Sequence, residues 1–334
     1  MDGGQDTQAG RTGKVLLAGI DEAGLGPVLG PLVVSAAAFL APPDAIETSM
    51  WQLLSRAVRR TPGRTRSRIA FGDSKKLYVA KGKDGISHLE RGVLAMLGTV
   101  GRRPATLSEL LESVCPSAGP AAGEYPWYTP PDLALPQSIS PDDLLLSANS
   151  LAAAMARRGI ELAALRAETV FEAEFNRICT STDNKSVMLF SVTSRLLAML
   201  WDLHRGDVVV HVDRQGGRMH YLSGLQQVFE GARFKIVDET DLVSEYTMEH
   251  QHRRGRFVFA VGAEDRQLPV ALGSMVSKYL RELYMKLFNR YWLSQVSDLA
   301  PTAGYYSDGR RFYREIRPAV ERLGFEHTRI YRLR

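Results

Sequence analysis

Residues 14–40 constrain the fold of this chain more than any other stretch. The run KVLLAGI (14–20) is apolar without alternation, as expected of a strand buried on both faces, and it ends abruptly in Asp21, Glu22 and a glycine-rich segment. A second apolar run, PLVVSAAAFL (31–40), follows a Gly-Pro-rich connection too short to hold a crossover helix, which predicts an antiparallel neighbour. The run DVVVHVD (207–213) repeats the pattern: β-branched residues, then an acid, Asp213, with glycines close behind.

Helical periodicity fills much of the remainder. Ile86, Leu89, Val93, Leu94 and Leu97 mark an amphipathic helix over residues 84–97, and further helices are predicted at 142–157, 185–204, 268–291 and 310–323. A strand is expected at 159–167, and more strands between 234 and 262, including a hairpin that turns at HRRGR (252–256). Alternating strands and helices predict an α/β fold, a mixed β-sheet flanked by helices with a helical C-terminal region. Residues 1–13 read as a disordered tail before a single domain, 14–334. Two insertions are expected, at about 100–141 and 214–256; the first holds the proline-rich GPAAGEYPWYTPPDLALP (119–136), which reads as surface loop.

With 45% hydrophobic and 24% charged residues the chain has ample material for a core, which excludes disordered and fibrous classes. Its two cysteines, Cys115 and Cys179, have no metal-ligand spacing, so neither a disulfide framework nor a zinc site is expected. A net charge of +5, with arginines clustered at 59, 60, 64, 66 and 68 and again at 253, 254 and 256, favours a polyanionic partner such as nucleic acid. The N-terminus has no apolar signal core, and no run of about 18 apolar residues stands out. A cytoplasmic monomer without membrane contact is the expectation.

The chemistry is carried by acids at strand ends or at a helix start: Asp21 with Glu22, Asp213, and Glu264 with Asp265. Taken singly, each has an ordinary structural use, in capping or in pairing with a nearby arginine. Carboxylates gathered on rigid strand ends repel one another unless cations neutralise them. Mg²⁺ or Mn²⁺, hard cations that take oxygen ligands, are the natural neutralisers, and a two-metal site suits phosphodiester hydrolysis. The spacing Gly24, Gly26, Gly30 is not that of a dinucleotide-binding loop.

These motifs together resemble the ribonuclease HII (type 2 ribonuclease H) family, as a divergent member. Residues 19–33, GIDEAGLGPVLGPLV, resemble its opening DEAGRGP motif, and GDSKKL (72–77) is similar to its DSKKL block. The strand ending at Asp213 lies where the family has its third catalytic aspartate, LPVALGSMVSK (268–278) resembles the family helix AAASILAK, and GYYS (304–307) resembles GYGT. The resemblance implies an RNase H-like fold and metal-dependent cleavage of RNA in RNA/DNA hybrids, or at ribonucleotides embedded in duplex DNA, leaving 5′-phosphate ends. It implies Asp21, Glu22, Asp213 and Glu264 as catalytic metal ligands, with Asp265 the alternative to Glu264. Substrate contacts would come from Gly24, Leu25, Gly26, Lys75, Lys76, Ser274, Lys278 and Tyr305. Leu25 stands where the family has a basic residue, and Arg214 where it has glycine. Two other readings stay open: a two-metal nuclease of the same fold without ribose selection, and a catalytically inactive nucleic-acid-binding relative.

Overall fold

The computed structural model describes residues 13–63, 67–78, 85–129 and 132–333. Most of the expected tail (residues 1–12), and Arg64 and Arg66 of the first arginine cluster, lie outside the described residues.

In chain order the strands are β1 (Val15–Ala23), β2 (Leu32–Ala41), β3 (Val58–Arg59), β4 (Ile69–Ala70), β5 (Glu161–Val170), β6 (Val208–Asp213), β7 (Arg233–Glu239), β8 (Val243–His250) and β9 (Arg253–Ala260). Helices α1 (Met50–Leu53), α2 (Ser74–Leu77), α3 (Ser87–Gly98), α4 (Leu107–Val114), α5 (Ala118–Ala122) and α6 (Pro141–Ala156) precede or interleave the first strands. Helices α7 (Glu172–Thr182), α8 (Lys185–Leu203), α9 (Leu222–Val228), α10 (Leu268–Gln295) and α11 (Tyr306–Arg322) complete the chain.

The main sheet has seven strands in the order β5-β2-β1-β6-β9-β8-β7. β2 runs antiparallel to β1 and β5, whereas β1, β6 and β9 are mutually parallel. This is the mixed sheet expected from the sequence. Because three neighbouring strands are parallel, their carboxyl ends lie along one edge, where α/β sheets place ligands. Strand register then puts the first acids together: Ile20 pairs with Val212, so Asp21 and Asp213 leave the sheet side by side.

Two apolar layers sandwich the sheet. Leu17, Val33 and Phe39 face one side with α3 and α10, while Leu16, Ala18 and Ile20 face α7, α8 and α9. The long helix α10 lies so close on β1 that a Cβ on Gly19 would fall 2.1 Å from the Val270 amide nitrogen. Only glycine permits that approach, and it is what presses the Ser274 and Lys278 face of α10 towards the end of β1.

Four sequence expectations are corrected. The stretch 119–136 is not simply surface loop: its start belongs to α5, and among its described residues Tyr125, Trp127 and Tyr128 are buried against Phe171, Tyr284, Phe288 and Trp292. Prolines hide the periodicity of such a segment without keeping its aromatic rings from the core. The β8–β9 hairpin turns at Gln251 and His252, both at positive φ (52° and 62°), and Arg253–Arg256 belong to β9. Arg253 is buried and donates to the carbonyls of Trp201, His204 and Gly206, while Arg256 pairs with Glu245, so these two arginines serve the fold. The last helix starts at Tyr306, one turn earlier than the sequence suggested, because Asp308 accepts from Thr302 Oγ1 and the Ala303 amide and ties the preceding loop to its first turn. Finally, α8 is long and apolar enough to cross a bilayer by length and composition alone, yet half of its apolar window is buried inside the fold.

Candidate active site

At the carboxyl edge of β1, β6 and β9 the chain encloses a cavity of about 230 Å³. Asp21, Glu22, Asp213 and Glu264 all line it, together with Asp73, Ser74, Lys75, the 23–27 loop, Ser274, Lys278, Arg281 and Tyr305. Four acids separated by up to 243 positions thus share one pocket.

Hydrogen bonds and one turn place three of them. Asp21 ends the buried part of β1, its Oδ1 accepting from the Glu22 amide at 2.7 Å while Ser277 Oγ donates to its backbone carbonyl. Asp213 ends β6, and its Oδ1 accepts from the Ala263 amide at 3.0 Å. That bond fixes the 3₁₀ turn Ala263–Asp265, which Gly262 makes possible by adopting φ +65°. Glu264, in that turn, is thereby swung into the pocket, and its buried Oε2 has no hydrogen-bond partner.

Burial and mutual repulsion hold these carboxyls in an unusual state. Desolvation, reinforced by Glu22 and Asp213, pushes Asp21 well above the usual carboxylate range. Glu22 rises to about 8, through burial and the charge of Asp213, against a partial offset from Lys75. Glu264 rises to about 7, through burial and again Asp213. Protons or cations must neutralise such a cluster near neutral pH.

Asp265, the alternative fourth acid, points elsewhere: it is exposed, and Lys76 Nζ lies 3.1 Å from its Oδ2. Lys76 also reaches Asp73 and does not line the pocket, whereas Lys75 does. The two neighbouring lysines of the DSKKL block therefore separate, because Asp73 caps α2 by accepting from the Lys75 amide and the short helix turns the side chains apart. Ser274 Oγ bonds Ser74 Oγ at 2.9 Å, tying α10 to α2. Lys278 pairs with Glu282 and sits 4.3 Å over the Tyr78 ring. Tyr305 is half exposed at the rim.

Sequence reasoning singled out neither Asp73 nor Arg281. Arg281 was recoverable, since residues 274, 278 and 281 fall on one helical face; its fully buried guanidinium bonds the carbonyls of Leu29, Pro31 and Ala303 beneath the glycine-rich loop. Asp73 carries the helix-start signature of an acid before Ser-Lys-Lys.

The donor set fits a hard divalent cation: all-oxygen, strongly acidic, and with an unsatisfied Glu264 oxygen. Among the described residues no group of three or more His, Cys, Asp or Glu side chains is arranged so as to hold a metal ion. The four acids line one pocket without closing on a common point.

No protein-family model matches the chain, and no curated protein does. Solved structures similar to it include a chain of the PCNA:RNase HII complex from Archaeoglobus fulgidus, at 15% identity over 96% of this chain and 94% of that one, with a TM-score of 0.41. The ribonuclease H2 of Pyrococcus horikoshii matches at 12% identity over 94% and 92%, TM-score 0.42. Bst-RNase HIII in complex with Mn²⁺ matches at 13% identity over 96% and 67%, TM-score 0.40. At such scores the likeness is one of outline, and the chemistry of the pocket rests on its own residues.

Proposed function

We propose that this chain is a divalent-metal-dependent endonuclease of the ribonuclease H type, cleaving the RNA strand of RNA/DNA hybrids or ribonucleotides embedded in duplex DNA. The observation that carries the proposal is the meeting of Asp21, Glu22, Asp213 and Glu264 in one pocket beside the glycine-rich loop. These four would hold Mg²⁺ or Mn²⁺, which when bound would supply Lewis-acid activation of the attacking water and the leaving oxygen. The chain's own groups do the rest. Lys75 offers a cation to a phosphate at the pocket mouth, the 24–26 backbone is open to a sugar oxygen, and Tyr305 offers a ring at the rim.

A binding protein that had lost turnover would have no use for a Glu264 turned into the cavity with one oxygen unpartnered. One observation favours a second reading, a nuclease of the same fold without ribose selection: Leu25 is half-buried and packs on the core behind the sheet, so the loop presents no cation to the backbone of a bound strand.

Cleavage of three labelled duplexes distinguishes these readings: an RNA/DNA hybrid, DNA with one ribonucleotide, and all-DNA, each with Mg²⁺ or Mn²⁺. Cutting confined to ribonucleotides, lost in Asp21→Asn, is the expected result. Equal cutting of all-DNA would favour the second reading, and binding without any cutting would sink both.

A further inference from the structure

The last residues of the described chain return to the glycine-rich loop. Arg332 is 1% exposed, two positions before the last residue, yet its Nη2 donates to the Gly24 carbonyl at 2.6 Å and its backbone amide to the Val28 carbonyl at 2.8 Å. Its guanidinium lies 4.5 Å from the centre of the Phe175 ring. The segment carrying it is strapped to α7 by one buried side chain, Asn176. Asn176 Nδ2 donates to the carbonyls of Thr328 and Tyr331, and Oδ1 accepts from the Leu333 amide at 2.7 Å.

The contact at Gly24 has a directional consequence. In a trans peptide the carbonyl and the following N–H point in opposite directions. Holding the Gly24 carbonyl on the buried Arg332 therefore turns the Leu25 N–H away from Arg332, in a loop whose Gly24, Leu25 and Gly26 all line the acid pocket. Gly24 needs φ +96° to make this turn, and a Cβ there would fall 2.7 Å from the Pro31 carbonyl oxygen.

We propose that Arg332 is a positioning residue for substrate selection: it fixes the Gly24–Leu25 peptide so that the Leu25 N–H is presented to a ribose 2′-oxygen in the pocket. This rests on the ribonuclease reading above and names the device that sets its selectivity. Arg332 satisfies only part of its hydrogen-bonding capacity through these contacts. Its Nε and Nη1 are buried without partners, a cost that an apolar side chain of similar length would not carry.

The test uses the full chain and the variants Arg332→Met and Arg332→Lys. Affinity for a duplex with one ribonucleotide and for its all-deoxy counterpart is measured without divalent cation, and cleavage of both with Mn²⁺, alongside the melting temperature. In Arg332→Met the preference for the ribonucleotide duplex should fall about tenfold, the scale of one hydrogen bond, with little change in melting temperature. Arg332→Lys, which keeps a donor for the Gly24 carbonyl, should recover part of that preference. A variant in which both duplexes weaken equally, or in which the preference persists, overturns the proposal while leaving the ribonuclease reading intact. A wild-type protein with no preference for ribose removes that reading, and this one with it.

Discussion

Two sets of buried carboxylates in this molecule are treated in opposite ways. Glu90, on α3, is wholly buried, and its Oε1 accepts from the Gln137 amide at 2.7 Å and from Tyr279 Oη at 2.8 Å, while Oε2 accepts from the Ser138 amide at 2.6 Å. Both oxygens are satisfied, and the group welds α3, the 137–138 segment and α10 together. In the pocket at the sheet edge, by contrast, Asp21, Glu22 and Glu264 face one another and Asp213, with a buried Glu264 oxygen left unpartnered. Glu90 thus receives donors from the fold on both oxygens, whereas one oxygen of Glu264 in the pocket receives none.

The contrast is sharpest if one acid is neutralised on each side. Asp213→Asn should abolish cleavage, by roughly 10³-fold or more in kcat with the hybrid substrate. The same change should raise the melting temperature of the metal-free protein, because the carboxylate that raises Glu22, Glu264 and Asp21 is gone while the acceptor for the Ala263 amide remains. Loss of stability in that variant would mean the acids are structural after all.

Glu90→Gln should behave in reverse. It places an N–H₂ against one of the donors that now converge on the carboxylate, so urea unfolding should show a loss of about 1–3 kcal/mol. Cleavage by the folded fraction should be unchanged; a large fall in kcat would erase the distinction between the two sites.

pH separates the two further. Glu22 and Glu264 bind protons more tightly folded than unfolded, so between about 4.5 and about 8 the native state holds the extra protons. Stability of the metal-free protein should therefore be greatest near the lower limit and fall as pH rises through that window. Thermal melts from pH 5 to pH 8 should show this slope, and saturating Mg²⁺ or Mn²⁺ should flatten it by replacing the protons. A slope indifferent to metal would argue against cation binding by these groups. The smallest effect is expected from Leu25→Arg, which adds a charge beside the pocket. Duplex affinity should rise less than tenfold at low salt, and the log–log salt slope should steepen by about one.

The strands that carry the acids were legible because their patterns are local. KVLLAGI and DVVVHVD are dominated by consecutive apolar residues that favour burial on both faces, and an acid closing such a run sits at the sheet edge. The choice between Glu264 and Asp265 was not legible. Adjacent residues in a 3₁₀ turn differ in direction, and which one enters the pocket depends on the bond from Ala263 to Asp213, fifty positions away. The same holds for Lys75 and Lys76, parted by the single turn of α2. Residues 119–136 misled for a different reason: proline and glycine erase periodicity, and the burial of Trp127 depends on aromatic partners on α10 and at Phe325, far away in sequence.

By itself, then, the sequence determined the two buried strands β1 and β6 and the acids that close them, because strand burial and polar termination are encoded within a few residues. Only the tertiary structure decided which carboxylates share a pocket and which are paired off, and only it brought Arg332 back under Gly24, 308 positions earlier. Those outcomes depend on strand register, one close helix approach at Gly19 and a C-terminal strap, and a contact between distant segments leaves no trace in the local pattern of either.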